Sequence, residues 1–271
     1  MKRSLIQFFI ISIGVSSCAS YAYYQSPLHT NTSTYKAIPL ERDSIRSAIY
    51  ASASISAGGA NDKLRDGNAN FNVSVHRSHN LGNFQAVYGI SGAAGSYNVD
   101  SVYNFGGLFS SPNEFVDPES INPHVGRKFY GAIGGFGAVN LVFPTEWGEW
   151  RILGAEAAWS REYGSYLRFR KALPDSSANL IERRSDLLTL ALSTDFVFKT
   201  HNGSIGMKFL MGRSLRNIRL YLPDGTPSVA SPGWLSGTLH WQQRRYSAYS
   251  QLNAGFHAFS FLIGGSYRLE L

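Results

Sequence analysis

A short polar run between His76 and Asn80 carries the residue types with the clearest potential for chemistry. His76 and Ser78 are two residues apart, so their side chains lie on one face if the run is a strand. A histidine beside a serine can act as a base that turns the hydroxyl into a nucleophile. The spacing therefore raises the hypothesis of a hydrolase, and a polar turn is the plainer interpretation.

Charged residues recur on the polar faces of segments in which apolar and polar residues alternate. Asp195 and Lys208 stand on consecutive segments joined by a tight turn. They are directly opposed if the turn is His201-Asn202 and diagonal if it is Asn202-Gly203. The same kind of face carries three more charges, which are Glu156, Arg268 and Glu270. Inside a closed sheet these five charges would line a pore or a proton path, or would pair across a narrow lumen and close it. We favour pairing.

The alternation itself predicts that the elements holding these residues are β-strands. We expect ten strands, at about 46–58, 69–77, 83–97, 128–143, 149–171, 185–199, 204–214, 233–242, 245–253 and 256–271. The second strand should turn Phe71, Val73 and Val75 outward and the polar residues between them inward. In the fifth strand we expect a bulge near Tyr163.

The connections between these strands alternate in length along the chain. Tight connections follow the even-numbered strands, at 78–82, 144–148, 200–203 and 243–244. Longer ones follow the odd-numbered strands, at 59–68, 98–127, 172–184 and 215–232, and only the last odd connection is short. Outer-membrane barrels have short turns on one rim and long loops on the other. The sequence therefore predicts an all-β antiparallel transmembrane β-barrel of about ten strands. A lipidated soluble β-sandwich that binds a ligand is the alternative.

The predicted long loops have an unusual composition. Loop 98–127 contains Phe105, Phe109, Phe115 and Pro118, which suits a packed lid or a docking surface better than a spacer. Basic residues gather in or beside the other loops, namely Arg183, Arg184, Arg213, Arg216 and Arg219. They suit either the phosphates of outer-leaflet lipid or a solvated face.

The N-terminus indicates export. In residues 1–17, Lys2 and Arg3 precede an apolar stretch that is too short to span a bilayer, as in a signal peptide. The sequence Val15-Ser16-Ser17-Cys18 resembles a bacterial lipobox, and this resemblance implies cleavage before Cys18 and attachment of lipid to it. An ordinary secretory signal is the alternative. We expect residues 18–45 to form a lipidated periplasmic tether and residues 46–271 to form the barrel.

The C-terminus resembles the signal by which outer-membrane barrels are recognised for insertion. Tyr267, Leu269 and Leu271 share one face of an alternating final strand, although Leu271 stands where an aromatic residue is usual. The chain resembles outer-membrane β-barrel lipoproteins of Bacteroidota type in its lipobox, its tether, its alternating strands and loop lengths, and its final strand. The resemblance implies a bacterial outer-membrane location, a periplasmic lipid-anchored N-terminus, and contact with the barrel-assembly machinery during insertion. His76 and Ser78 also resemble an H-x-S pairing of outer-membrane lipid hydrolases, but His79 stands where those families have asparagine.

Composition narrows the function further. The chain has 271 residues, a net charge of +7 and a single cysteine. One cysteine argues against a disulfide scaffold and a closed zinc site, so we expect no metal and no cofactor beyond the covalent lipid on Cys18. Nucleic acid is not expected as a partner of an exported lipoprotein. We favour a non-enzymatic accessory or structural subunit of a larger outer-membrane assembly, with protein partners in that membrane. A small or gated pore is the alternative, and a lipid hydrolase is the least favoured function.

Overall fold

The structure is a computed structural model. It describes residues 22–31, 34–40, 45–61, 65–102, 117–221 and 226–269. The predicted signal peptide 1–17 and the predicted lipidation site Cys18 lie outside the described residues, as do Glu270 and Leu271. The phenylalanines of loop 98–127, which are Phe105, Phe109 and Phe115, also lie outside them.

Ten strands form a closed antiparallel barrel. They are β1 (Ser47–Ala60), β2 (Asp66–Asn80), β3 (Phe84–Val99), β4 (Gly126–Thr145), β5 (Gly148–Tyr163), β6 (Asp186–Thr200), β7 (Gly203–Ser214), β8 (Gly233–Gln243), β9 (Tyr246–Gly255) and β10 (Ala258–Leu269). Each strand pairs with the next along the chain, and β10 pairs with β1 to close the sheet. Closure confirms the all-β ten-stranded barrel, and it shows that the β-sandwich alternative is wrong.

The barrel is apolar outside and polar inside, which is the reverse of a water-soluble protein. In β2, Phe71, Val73 and Val75 are exposed on the outer wall, as predicted. The asparagines and serines between them point inward and are buried. Because closure pairs every strand on both sides, the sheet has no free edge. This arrangement suits a wall that faces lipid.

The connections fall on two rims. The tight turns 81–83, 146–147, 201–202 and 244–245 share one rim with the start of β1 and the end of β10, and we call this the short-turn rim. The other connections begin and end at the opposite rim, the long-loop rim, where they join the strands on either side of 61–65, 100–125, 164–185, 215–232 and 256–257. The predicted asymmetry is therefore confirmed, and the connection 256–257 is the short exception.

Short elements sit at the long-loop rim and in the lumen. The helices are α1 (Leu28–Asn31), α2 (Pro118–Ile121) and α3 (Ser165–Ala172), and single 3-10 turns cover Asn122–His124 and Asp175–Ser177. A small second sheet joins the segments Tyr23–Tyr24, Leu180–Ile181, Ile218–Tyr221 and Pro227–Ala230, in that order. None of the helices in the described part of the chain is long and apolar enough to cross a membrane.

The fifth strand is shorter than the sequence indicated. β5 ends at Tyr163, and Gly164 has a φ of +124°, which a residue with a side chain rarely adopts. The residues expected to continue the strand form α3, whose Tyr166 and Phe169 are buried. The predicted bulge near Tyr163 is therefore wrong. The register shift in β5 lies between Arg151 and Gly154 instead.

The expected tether is the largest difference. The described residues 22–31 and 34–40 do not extend away from the barrel but lie inside it, and nearly all of them are buried. We call these residues the plug. Ala22 is bonded to Asn179 at the long-loop rim, whereas Leu40 accepts a bond from Asn80 at the short-turn rim. The prediction of a periplasmic tether is wrong for these residues, because their polar groups find partners on the inner wall of the barrel.

Candidate functional site

The upper end of the plug is joined to the loops by backbone pairing. Tyr23–Tyr24 pairs in parallel with Leu180–Ile181, which makes it the edge strand of the small sheet. The Tyr23 amide donates to Asn61 Oδ1 at 2.5 Å, and the Tyr23 ring stacks on His257 with 4.0 Å between ring centroids. These contacts fix residues 22–24 at the long-loop rim.

A cluster of buried charges lies below this pairing. The Arg170 guanidinium of α3 contacts Glu162 Oε1 at 2.5 Å and Glu182 Oε2 at 3.3 Å, and none of the three side chains is more than 1% exposed. From the plug, His29 Nε2 donates to Glu182 Oε2 at 2.9 Å, and the Ser26 amide donates to the same oxygen at 2.8 Å. We call Glu162, Arg170, Glu182 and His29 the rim lock.

The charges of the rim lock set the protonation of Glu182. Burial alone would raise the pKa of this carboxyl, but His29 and Arg170 together outweigh burial and hold the pKa at about 2. Arg170 is buried as well, yet the two carboxylates keep its pKa above the usual value. Glu182 and Arg170 are therefore charged at neutral pH, and a loop, a strand and the plug meet in the rim lock.

The lower part of the plug contacts the wall through ring stacking and backbone carbonyls. The Tyr35 ring stacks on His240 with 4.3 Å between centroids. His76 Nε2 donates to the Ala37 carbonyl at 3.0 Å, and Asn80 Nδ2 donates to the Leu40 carbonyl at 2.7 Å. Plug and wall leave little space between them, since two cavities lined by both have volumes of about 20 Å³ each. Such a cavity holds about one water molecule.

A second buried charge network lies on the inner face of the barrel beside Tyr35 and joins side chains of three strands. Arg151 Nη2 contacts Glu149 Oε1 at 2.6 Å, and Arg151 Nη1 contacts Asp195 Oδ2 at 2.8 Å. His240 Nε2 donates to Asp195 Oδ1 at 2.9 Å. His240 has room beside the wall because its cross-strand partner is Gly206, where a Cβ would lie 2.4 Å from the histidine ring. The network links β5, β6 and β8 on the inside of the barrel.

Four of the five predicted lumen charges, Glu156, Asp195, Lys208 and Arg268, are found on the inner wall, and Glu270 lies outside the described residues. Asp195 and Lys208 are directly opposed, and the turn between their strands is 201–202. They do not pair with each other, because Lys208 bonds to Glu156 and Asp195 bonds to Arg151 and His240. Arg268 stands on the inward face of β10 and is half-buried, while Tyr267 and Leu269 stand on the outward face.

The predicted nucleophile pair does not form a hydrolase geometry. His76 and Ser78 both point inward near the short-turn rim and are buried. Because a carbonyl only accepts, His76 Nε2 is the donor to Ala37, and Ser78 Oγ donates to the Ala48 carbonyl at 3.3 Å. Both side chains are thus engaged with backbone. The polar turn expected from the sequence is wrong at these positions, because β2 continues through both residues to Asn80.

The sequence interpretation missed the rim lock and the residues Glu149, Arg151 and His240. Glu149 and Arg151 were hidden by the register shift that follows them, because a shift of one residue moves side chains to the other face. His29 lies in the segment expected to be a tether. His240 lies on the inward face of β8, and its cross-strand neighbour Gly206 is the signal that could have drawn attention to it.

Comparisons with known proteins give similar folds. No family model matches the sequence, and no curated protein sequence matches it. The translocator domain of the autotransporter NalP from Neisseria meningitidis is 8% identical with a TM-score of 0.37, over 85% of this chain and 91% of that chain. The β domain of the Bordetella autotransporter BrkA is 9% identical with a TM-score of 0.42, over 83% and 100%. The KdgM porin is 10% identical with a TM-score of 0.30, over 81% and 99%. At these values none of them assigns a function to this chain.

Proposed function

We propose that this chain is a non-enzymatic β-barrel of the bacterial outer membrane, closed by its own N-terminal segment, which serves as a structural or accessory subunit of a larger outer-membrane assembly. The observation that carries the proposal is the plug. Residues 22–31 and 34–40 fill the lumen from rim to rim and bond to its wall along the way. We expect a barrel crossed by the described plug residues in this way to offer no open path for solutes.

The outer wall supports the membrane location and the partner. Large apolar residues cover it, as a lipid-facing wall requires. On β4 and β5 small side chains leave a shallow depression in the outer wall. Gly137 lies opposite Ala157 there, and Gly135 and Ala155 lie nearby on the same outward face. Small residues let a second protein approach the backbone closely within a membrane. A lipid on Cys18 would add a second anchor, which exceeds what an isolated barrel needs.

The first test is conductance. We expect the full-length protein, purified from outer membranes into planar bilayers, to show no single-channel steps. Among the described residues, Asp195 is paired with Arg151 and Glu156 is paired with Lys208 inside the barrel, and the plug crosses the lumen, so we expect no continuous aqueous path for ions. Stable, reproducible conductance steps from the wild-type protein would overturn the closed-barrel proposal.

The second test addresses the partner. The tagged protein is extracted in mild detergent, and proteins that co-elute in stoichiometric amount are identified by mass spectrometry. We expect Gly137→Leu to lose the partner, because the new side chain projects from the shallow depression formed by the small residues of β4 and β5. Gly237→Leu is the matched control, since Gly237 also faces outward, lies four strands away and has open space around it. Elution of the wild-type protein alone would contradict the accessory role.

A gated pore is the second candidate function, and the make-up of the lower plug favours it. There the wall bonds to backbone carbonyls through single side chains, and the inner wall is rich in serine and asparagine. Such a wall would remain hydrated if the plug moved. Brief, rare openings of the wild-type protein that become frequent when the plug is weakened would identify a gate rather than a permanent seal.

A further inference from the structure

The plug runs through the barrel from one rim to the other, and the direction of its chain determines at which rim the N-terminus lies. Its first described residue, Ala22, is bonded to Asn179 at the long-loop rim, and its last, Leu40, is bonded to Asn80 at the short-turn rim. We propose that the chain preceding Ala22 leaves the barrel at the long-loop rim, so that the barrel presents its own N-terminus on the outer surface of the membrane. This inference rests on the proposed outer-membrane location and goes beyond it.

The chain after the plug rules out the reverse path. Only six residues separate Leu40 from Ser47, where β1 begins at the short-turn rim. Six residues reach about 20 Å at most, whereas β1 alone, with its 14 residues, rises about 46 Å. Leu40 and Ser47 therefore lie at the same rim, and the plug runs from Leu40 at the short-turn rim to Ala22 at the long-loop rim.

Independent contacts fix the upper end. Parallel pairing of Tyr23 with Leu180 orients the segment, and Asn61 binds the Tyr23 amide from a different connection. Gln25 Nε2 donates to the Phe256 carbonyl at 2.5 Å from a third side. Three separate connections of the long-loop rim thus surround residues 22–25.

The consequence concerns the lipid. Cys18 precedes Ala22 by four residues, so the chain between them can span at most about 14 Å from Cα to Cα. Acyl chains on Cys18 would therefore enter the outer leaflet, whereas the tether expected from the sequence would have placed them in the inner leaflet. Barrel and lipid would then hold the N-terminus at the cell surface.

The test maps the sides of the membrane with one epitope at three positions. The epitope is inserted between Ser20 and Tyr21, between Pro223 and Asp224 of the long loops, or between His201 and Asn202 of a short turn. We expect intact cells to bind the antibody at the first two positions, and to bind it at the third only after permeabilisation. An N-terminal epitope that behaves like the one at 201–202 would overturn the inference.

A smaller probe covers the case in which an insertion blocks export. Tyr21→Cys and His201→Cys are treated on intact cells with a membrane-impermeant maleimide, with Cys18→Ser as the background for a parallel set. We expect labelling of Tyr21→Cys and none of His201→Cys, and the opposite result would overturn the inference.

The outcomes separate this inference from the proposed function. An N-terminal epitope accessible on intact cells, together with a conducting wild-type protein, supports the direction of the chain and contradicts the closed barrel. A silent barrel with an inaccessible N-terminal epitope contradicts the direction and leaves the closed barrel standing. Incorporation of radiolabelled fatty acid into the wild-type protein but not into Cys18→Ser tests the lipid separately.

Discussion

The upper and lower parts of the plug are held by different kinds of contact. Residues 22–31 enter the rim lock, where His29 and Ser26 bind a carboxylate that is also paired with Arg170. Residues 34–40 present backbone carbonyls and the stacked ring of Tyr35 to the wall, and the Lys36 ammonium lies 4.4 Å from the centroid of the Phe136 ring. Hydrogen bonds to charged groups are about twice as strong as neutral ones. We therefore expect the contacts at the long-loop rim to hold the plug more strongly than the contacts in the lower lumen.

The largest expected effect follows from removing both parts. Replacing residues 22–31 and 34–40 by a Gly/Ser sequence of equal length should open the barrel, because the lumen then contains only the polar wall and its paired charges. We expect steady single-channel conductance in planar bilayers. Replacing only residues 34–40 should give brief openings, since the rim lock remains. Equal conductance from both variants would contradict the division between the two parts.

The next effect concerns the rim lock alone. Arg170→Ala leaves Glu162 and Glu182 buried without their cation, and breaking a buried pair in this way costs about 3–5 kcal/mol. We expect a lower temperature for conversion of the folded band on a semi-native gel, together with frequent channel openings. Arg168→Ala is the control, because this neighbour on α3 is exposed. A normal conversion temperature for Arg170→Ala would show that the lock does not hold the plug.

A pH series should weaken the same lock without a mutation. Glu182 has its pKa lowered from 4.5 to about 2, so its contribution is complete above pH 4.5 and is lost as the pH falls towards 2. At 1.36 kcal/mol per pKa unit the loss amounts to about 3 kcal/mol. We expect openings to become more frequent across this window. In Glu182→Gln the frequency should already be high at neutral pH and should change less between pH 4.5 and 2.

The smallest effect should come from the lower part. Asn80→Ala removes the donor to the Leu40 carbonyl, and a neutral hydrogen bond contributes about 1 kcal/mol. We expect about a fivefold increase in opening frequency and little change in the conversion temperature of the barrel. His79→Ala, on the outward face of the same strand, should change neither quantity. An effect of Asn80→Ala as large as that of Arg170→Ala would contradict the proposed division of the plug.

The barrel could be predicted from the sequence because the side-chain alternation that indicates it is a local property of each strand. Side chains alternate between the two faces of a strand, so lipid outside and a polar lumen inside impose a period of two on every strand. The outward Phe71, Val73 and Val75 of β2 show this period without any knowledge of the neighbours. The alternating loop lengths supplied the topology in the same way.

The charge network of β5 could not be predicted in full, because a bulge is a property of the paired strands. The extra residue between Arg151 and Gly154 has no partner on the neighbouring strands, and it moves Glu149 and Arg151 to the inward face that Glu156 also occupies. If side chains alternated without interruption from Glu156 back to the start of β5, Glu149 and Arg151 would fall on the outward face. The end of β5 at Gly164 was missed for a related reason, since burial under the plug stabilises α3.

Side-chain alternation and loop length are local features, so a ten-stranded barrel with two unlike rims could be predicted from the sequence alone. The position of the N-terminal segment in the lumen depends instead on contacts between distant parts of the chain. Its contacts join residues up to 231 positions apart, as between Gln25 and Phe256, and no local pattern encodes such pairs. The plug is polar enough to resemble a solvated tether, and it becomes ordered only where a polar wall on all sides supplies its hydrogen bonds.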